Sequence, residues 1–245
     1  MSRLRAFGAS DPGQERRRNE DALHWQLDRD AGRLVAVVAD GVGGAPAGDQ
    51  ASQLACRALC RELQGAPRRD SPQRLAGAVQ AAHQALRQEQ RDHPELRGMA
   101  STVVALLLRP GEGWVAHAGD SRAYRWRDGT LQRLTRDHTL AQAMVDNGTL
   151  TPERAEFVPY SQVLSRALGV GEAVDSEVQT LDPLPGDRYL LCSDGLFRSV
   201  HEAHIAARVA EDGAPQQRVA ELLAAANDAG GPDNITVFLV DILED

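Results

Sequence analysis

The feature that most constrains the fold of this chain is a short apolar run that ends in a carboxylate. Leu34 to Ala39 are all apolar, and they lead directly into Asp40 and a cluster of three glycines, Gly41, Gly43 and Gly44. A continuous apolar run of this length predicts a buried strand. The chain therefore carries an acidic side chain at the end of a strand meant for the interior. The glycines would let the backbone turn sharply beside it.

Further runs of the same kind predict a protein rich in strands. Alternating or continuous apolar segments predict strands at about Ala22 to Leu27, Leu34 to Ala39, Thr102 to Leu108, Gly113 to Ala118, Ala123 to Arg127, Tyr189 to Cys192 and Ile235 to Ile242. An Asp-Gly pair at Asp128 and Gly129 follows one of them, and this pair predicts a β-hairpin.

Amphipathic stretches lie between groups of these strands. Asp49 to Leu63 and Pro72 to Gln90 predict helices, and a third helix near Pro215 to Asp228 precedes the last strand. Helices that are grouped in this way favour an α+β protein built in layers over a strictly alternating βαβ order.

Composition excludes several classes of protein. A length of 245 residues suits one soluble domain over residues 1–245. A net charge of −8 argues against binding to nucleic acid, and all 27 basic residues are arginine, so Walker A loops and protein kinases, which need a lysine, are excluded. No apolar run approaches the ~20 residues of a membrane span, and the N-terminus has no apolar signal segment, so we expect a cytoplasmic protein without a membrane partner.

The three cysteines are expected to be ordinary core residues. The chain has an odd number of cysteines, without CxxC spacing and with apolar neighbours: Cys56, Cys60 and Cys192. A disulfide framework or a zinc site is therefore not expected.

Acidic residues flank the predicted strands at five places. They are Glu20, Asp40, Asp120, Asp194 and Asp233. Each of them alone fits ordinary turn chemistry. If antiparallel strands bring these ends to one edge of the sheets, however, the carboxylates converge, and like charges so close require compensation by cations. An all-oxygen set of ligands suits Mg²⁺ or Mn²⁺.

Such a site would suit hydrolysis at phosphorus. Two ions ~3.5–4 Å apart can deprotonate a bridging water and neutralise charge during an in-line attack. Arg16, Arg17 and Arg18 stand just before Glu20 and would provide a cation for phosphate oxygens. The other interpretation of these three arginines is a solvated surface run.

A series of motifs, taken in order along the chain, resembles the metal-dependent protein phosphatase family, also called protein phosphatase 2C-like, in its compact bacterial branch. The motifs are RRRNEDA at residues 16–22, ADGVGG at 39–44, GMAST at 98–102, AGDSRAY at 118–124, DHT at 137–139, SRALG at 165–169, CSDGL at 192–196 and GPDNIT at 231–236. The resemblance implies a four-layer α-β-β-α sandwich of two antiparallel sheets flanked by helix pairs. It also implies that a metal-bound water hydrolyses phosphoserine or phosphothreonine at a binuclear Mn²⁺ or Mg²⁺ centre.

The resemblance also implies a role for each acidic residue. Asp40 would bridge the two ions. Glu20 and the carbonyl of Gly41 would serve one ion, and Asp194 and Asp233 would serve the other.

Three further positions follow from the same resemblance. Arg16 matches the phosphate-binding arginine, and Asp120 together with Asp194 matches a position that can hold a third, weaker ion. Many eukaryotic members have a histidine, proposed as general acid, where this chain has Val42, so we expect metal-bound water to protonate the leaving group. His138 is the less favoured alternative acid. Residues 139–169, called the flap segment here, match a mobile flap that would affect substrate choice, although a helix and a connecting loop packed for stability fit the sequence equally well.

The sequence leaves three functional hypotheses. The leading one is a free-standing, monomeric phosphatase that acts on phosphorylated proteins and opposes a Hanks-type Ser/Thr kinase, in one version within a type VI secretion system. The second is a catalytically inactive scaffold of the same fold that binds phosphoproteins; the intact set of carboxylates argues against it. The third is a two-metal phosphodiesterase or nuclease, against which the negative charge and the absence of a basic groove argue.

Overall fold

Ten strands form the centre of the molecule. The computed structural model describes residues 3–42, 47–65, 70–155 and 157–243. The strands are β1 Arg3–Asp11, β2 Asp21–Asp28, β3 Arg33–Asp40, β4 Val103–Arg109, β5 Glu112–Ala118, β6 Arg122–Arg127, β7 Thr130–Arg133, β8 Glu177–Leu181, β9 Arg188–Cys192 and β10 Ile235–Leu243. They form two five-stranded sheets, in the orders β1-β10-β9-β6-β7 and β2-β3-β4-β5-β8. Every neighbouring pair is antiparallel.

α-Helices lie in the connections between strands. They are α1 Gly48–Glu62, α2 Pro72–Asp92, α3 Leu140–Asp146, α4 Pro152–Ala155, α5 Asp194–Ser199, α6 Glu202–Ala210 and α7 Pro215–Asp228. The start of α2 shows why the sequence turns helical where it does. Pro72 stands at the first helical position, and the Ser71 Oγ accepts the Arg74 N–H at 3.1 Å, which caps the helix.

Three apolar clusters separate four layers. The central cluster joins the inner faces of the two sheets, with Val38 and Leu106 on one side and Leu191 and Phe238 on the other. A second cluster packs α1 and α2 against the outer face of the β2–β8 sheet, and a third packs α5, α6 and α7 against the other sheet. The four-layer α-β-β-α sandwich is confirmed, with one difference: the second outer layer contains three helices and not a pair.

Strand β3 is buried on both faces, as its continuous apolar run predicts. Leu34, Ala36 and Val38 belong to the cluster between the sheets, whereas Val35 and Val37 belong to the cluster under α1 and α2. Side chains alternate along a strand, so the next even-numbered residue, Asp40, falls on the face that meets the other sheet.

The seven strands predicted from the sequence are present, and the predicted hairpin joins β6 to β7. Sequence analysis missed β1, so the strand that Glu20 precedes is the second of the chain and not the first. Strand β1 pairs only with the distant β10 and is an edge strand, whose half-exposed residues give a weak apolar pattern. The mostly exposed edge strand β8 was missed for the same reason. Helices α3 and α4 fall in the flap segment, where a helix with a connecting loop was one interpretation, and α5 and α6 were not predicted.

The cysteines are buried and free, as expected. Burial raises the pKa of the Cys56, Cys60 and Cys192 thiols, so they are unreactive residues of the core. Among the described residues, no helix combines the length and apolar character needed to cross a membrane. The predicted glycine turn at Gly43 and Gly44 lies outside the described residues.

Candidate active site

One cavity at the end of the sandwich collects all the predicted site residues. Its volume is about 580 Å³. Its lining includes Arg16, Glu20, Asp40, Gly41, Asp120, Asp194 and Asp233. These residues come from loops and strand ends of both sheets, so the convergence expected from the sequence is present.

The backbone around Asp40 is locked to the start of β4. The Asp40 N–H donates to the Thr102 Oγ1 at 3.0 Å, and the Asp40 carbonyl accepts from the Thr102 N–H at 2.8 Å and from the Ser101 Oγ at 3.0 Å. Because the backbone N–H and carbonyl of Asp40 are both hydrogen-bonded, the point from which its carboxylate enters the cavity is fixed. Rigid positioning of this kind favours a ligand that has to serve two ions.

Gly41 is required because helix α1 lies directly against it. A Cβ at this position would be 2.2 Å from the Gly48 carbonyl oxygen, so no larger residue fits without moving the helix. The Gly41 N–H donates to the Glu20 carbonyl at 3.0 Å, which sets β2 and β3 side by side where the two predicted ligands occur.

Asn234 ties together two parts of the site and was missed by sequence analysis. Its Oδ1 accepts the Glu20 N–H at 2.8 Å, and its Nδ2 donates to the Arg18 carbonyl at 2.9 Å. It follows Asp233 directly, and Asp233 accepts a hydrogen bond from Arg16 Nη2 at 2.9 Å. The adjacent amide in the GPDNIT motif is the signal by which Asn234 could have been found.

Arg16 is the one member of the arginine run that lines the cavity. Its side chain is 47% exposed and pairs with the Asp233 carboxylate. It is therefore positively charged, accessible and close to the acidic cluster, as a phosphate-binding group must be.

The cavity holds more negative charge than nearby arginines compensate. Burial raises the pKa of Asp40 well above its ordinary value, and the Asp21 and Asp194 carboxylates raise it further. Burial also raises the pKa of Glu20 and of Asp194. The pKa of Asp120 rises to about 7 because of burial and the Asp194 charge. Carboxylates in this condition, with oxygen as the only donor atom, fit divalent cations such as Mg²⁺ or Mn²⁺.

Asp21 is a second residue that sequence analysis missed. It lies directly opposite Asp40 in the β2–β3 register. Its buried Oδ2 accepts from the Ser193 Oγ at 2.7 Å and from the Thr236 Oγ1 at 2.6 Å, while its Oδ1 has no hydrogen-bond partner among the described residues. Burial raises its pKa to about 7. The consecutive acids at positions 20 and 21 are the signal that could have identified it.

Arg198 is the third missed residue. Its Nε is 2.7 Å from the Asp194 Oδ2, and its Nη2 donates to the Asp120 Oδ2 at 3.2 Å. The sequence signal is the spacing of four residues between Asp194 and Arg198, which places both side chains on one face of α5.

His138, the alternative general acid, does not line the cavity. Its Nδ1 accepts the Gly119 N–H at 3.2 Å, and its Nε2 is 3.1 Å from the Glu177 Oε1. Its ring stacks on His117 with 4.4 Å between centroids, and the His117 Nε2 contacts the Arg136 carbonyl at 2.8 Å. These two histidines and Glu177 are metal-ligating residue types close together. Their hydrogen bonds indicate a structural role and not a metal site: His138 holds Gly119, which precedes Asp120 in the turn.

The flap segment forms one wall of the cavity. Its residues 162–167 line it, and the segment contains the short helices α3 and α4. Bridges between Thr139 and Leu164 and between Ser101 and Leu168 fix its two ends. Phe157, in its middle, is 85% exposed. A second cavity of about 900 Å³ lies between this segment and a group of arginines, namely Arg122, Arg133, Arg136 and Arg198.

A four-layer α-β-β-α sandwich with an acidic, oxygen-lined cavity at one end is the architecture of the metal-dependent phosphatases, and comparisons with known proteins agree. The family model of protein phosphatase 2C matches residues 13–239. The chain belongs to the protein phosphatase 2C family.

Three bacterial relatives show how close the likeness is. The serine/threonine protein phosphatase PstP of Mycobacterium tuberculosis is 38% identical over 98% of this chain, which spans only 45% of the length of PstP. The structure of the catalytic domain of PstP in complex with two manganese ions aligns over 100% of both chains, with a TM-score of 0.88 and 36% identity. The protein phosphatase PhpP of Streptococcus pneumoniae is 33% identical over 96% of each chain. The structure of PppA aligns over 99% of both chains, with a TM-score of 0.83 and 35% identity. PppA is described as a key regulatory component of the type VI secretion system in Pseudomonas aeruginosa.

Proposed function

We propose that residues 1–245 form one catalytic domain of a metal-dependent serine/threonine protein phosphatase, which hydrolyses phosphoserine and phosphothreonine in proteins. The observation that carries this proposal is the convergence of Arg16 and a set of acidic residues on one accessible cavity. Family membership and the names of the bacterial relatives support it.

The proposed cofactors are two ions, Mn²⁺ or Mg²⁺. Asp40 would serve both ions, Glu20 and the Gly41 carbonyl would serve one of them, and Asp194 and Asp233 would serve the other. Bound ions would supply an activated water and would neutralise charge that develops on the phosphoryl group. The crowded carboxylates fit this role because burial and their mutual repulsion raise their pKa values, and bound cations would favour the charged forms.

The chain itself supplies binding and orientation. Arg16 would bind non-bridging phosphate oxygens and exchange its contact with Asp233 for a contact with substrate. Asn234 would keep the loop of Arg16 and Glu20 in place. Val42 lines the cavity without a proton to give, and no described histidine lines it, so the leaving alkoxide would take its proton from water.

The proposed substrates are phosphorylated proteins, and the proposed opposing enzyme is a Ser/Thr kinase. The likeness to PppA supports a role in a type VI secretion system as one version of this proposal. The flap segment would influence which phosphoproteins are accepted, because it lines the cavity and exposes Phe157. A monomeric state and a cytoplasmic location stay predictions.

The decisive experiment is hydrolysis by purified protein of p-nitrophenyl phosphate, a phosphothreonine peptide and a phosphate diester, with Mn²⁺, with Mg²⁺ and with EDTA. Metal-dependent turnover of both monoesters and little turnover of the diester is expected. The matched control is Asp40→Ala, which removes the central carboxylate and should abolish turnover.

Other outcomes would favour a different function or refute the role of Asp40. No turnover by folded wild-type protein with either ion would favour a phosphoprotein-binding scaffold. Preference for the diester would favour a phosphodiesterase. Wild-type activity in Asp40→Ala would refute the role of that residue.

A further inference from the structure

The guanidinium of Arg198 lies between two carboxylates of the candidate site. Its Nε is 2.7 Å from the Asp194 Oδ2, and its Nη2 is 3.2 Å from the Asp120 Oδ2. The resemblance pairs these same two carboxylates at the position that can hold a third ion. In this chain, a positive charge of the protein itself already stands there.

The arrangement is held firmly on both sides. Asp194 is the first residue of α5, and Arg198 follows it by one helical turn, so the two side chains meet on one helix face. The Asp120 side chain is 7% exposed and the Asp194 side chain 14%, and each has a contact with this guanidinium. A carboxylate this buried requires a cationic or hydrogen-bonding partner, which Arg198 provides.

The surroundings do not favour a further cation. The Arg122 guanidinium covers the ring of Phe197 with 3.5 Å to its centroid, and Arg198 lies 5.9 Å from the same centroid. A divalent ion ligated by both Asp120 and Asp194 would meet the like charge of Arg198 at contact distance. Arg198 would have to leave both carboxylates before the ion could bind.

We propose that Arg198 takes the place of a third metal ion, so that the site works with two divalent ions and one built-in guanidinium. This inference rests on the proposed two-ion function.

The test is the number of Mn²⁺ ions bound per chain, measured by equilibrium titration with the electron paramagnetic resonance signal of free Mn²⁺. Wild-type protein should bind two ions. Arg198→Ala should gain a third ion of millimolar affinity, Arg198→Lys should remain at two, and Arg198→Ala combined with Asp120→Asn should return to two. The matched control is Arg208→Ala, which removes the same charge from a surface ion pair with Glu211 and should bind two.

Different outcomes test the role of Arg198 and the two-ion function on which it rests. Three ions in the wild-type protein, or only two in folded Arg198→Ala, would overturn the role of Arg198. Folded wild-type protein that binds no Mn²⁺ would overturn the two-ion function on which the inference rests.

A second measurement needs no variant, in case Arg198→Ala does not fold by circular dichroism. Anomalous scattering from wild-type crystals grown in excess Mn²⁺ should show two peaks, with Arg198 still bonded to both carboxylates. A third peak between Asp120 and Asp194, with the guanidinium displaced, would refute the proposal.

Discussion

The Asp40 carboxylate is in an unfavourable environment when no cation is bound. Burial and the charges of Asp21 and Asp194 raise its pKa, and a neutral or apolar side chain would cost less at this point of the fold. Arg16, with its exposed guanidinium, also lies where its only described carboxylate partner is a candidate ligand, Asp233. Stability alone does not account for either residue, so both indicate function.

Arg16→Ala should chiefly weaken phosphate binding. Hydrogen bonds to charged groups contribute about 1.5–3 kcal/mol, so KM for p-nitrophenyl phosphate should rise roughly 10–100-fold with a smaller change in kcat. Steady-state kinetics measure both quantities. The control is Arg17→Ala, which removes an exposed neighbour outside the cavity and should leave KM unchanged. Equal KM values for wild type and Arg16→Ala would contradict the assignment.

Asp21→Asn should change how stability depends on pH in the metal-free protein. The folded-state pKa of Asp21, about 7, lies above its ordinary value of 3.8. Between these values the folded protein binds a proton that the unfolded chain has released, so stability from this group is present at low pH and lost as the pH rises through about 7. Asn cannot titrate and escapes this loss.

The measurement is thermal unfolding in EDTA from pH 4 to pH 8. The melting temperature of Asp21→Asn relative to wild type should increase from pH 4 to about pH 7 and level off above it. Asp30→Asn, at an exposed position, should show a constant difference from wild type. A constant difference for Asp21→Asn as well would show that this carboxyl is not protonated in the folded state.

Among the elements, β3 and α1 set the geometry of the site together. The alternation of β3 directs Asp40 toward the opposite sheet, and α1 approaches so closely that only glycine fits at position 41. The flap segment contributes a wall of the cavity and also exposes apolar side chains, among them Phe157 and Val163.

Gly41→Ala should lower Mn²⁺ affinity and stability. The new methyl group would lie 2.2 Å from the Gly48 carbonyl oxygen, so α1 must shift away from the end of β3. Gly77→Ala is the matched control: a Cβ there meets nothing within 4 Å inside α2, and alanine should stabilise that helix by about 0.5–1 kcal/mol. Chemical denaturation and Mn²⁺ titration measure both effects. Unchanged Mn²⁺ affinity in Gly41→Ala would show that the close contact with α1 does not define the site.

Phe157→Ala should impair activity on phosphoproteins and spare small substrates. This side chain is 85% exposed on the flap segment, where it would contact a protein substrate but not p-nitrophenyl phosphate. We expect a rise in KM for a phosphoprotein at constant kinetics on the small ester. Leu184→Ala removes another exposed apolar side chain, outside the cavity lining, and should change neither. A phosphoprotein KM equal to that of wild type would exclude Phe157 from substrate contact.

Across the whole molecule, the two sheets bring the ends of β3 and β5 and the start of β10 to one edge, and repulsion between their carboxylates opposes that closure. The metal-free protein therefore folds with a local cost at the cavity, and bound ions should relieve it. Stability of the entire sandwich and occupancy of the site are coupled in this way.

Addition of Mn²⁺ should raise the melting temperature by roughly 5–10 °C at about one hundred times the dissociation constant, since such binding contributes about 2.7 kcal/mol. Differential scanning calorimetry with Mn²⁺ and with EDTA measures the shift. Asp40→Ala should show little of it. A wild-type protein with the same melting temperature in both conditions would contradict a metal site coupled to the fold.

The strongly apolar strands, the three long helices and the acidic residues at strand ends were all predictable from the sequence. The local sequence pattern is sufficient to predict these elements, because β3 is buried on both faces and α2 has a capping serine and an amphipathic repeat. The motifs that flank the strands also identified each acidic residue that lines the cavity. Edge strands β1 and β8 escaped because their half-exposed residues give a weak apolar pattern.

What the sequence by itself determined was which residues carry charge at the ends of buried strands, and the family whose motifs they match. Only the tertiary structure decided which of those charges meet. The pairing of Asp21 with Ser193 and Thr236, and the contact of Arg198 with Asp120, join residues far apart in the chain. Electrostatic interactions and hydrogen bonds depend on distance in space, and that distance is fixed only when the two sheets pack together.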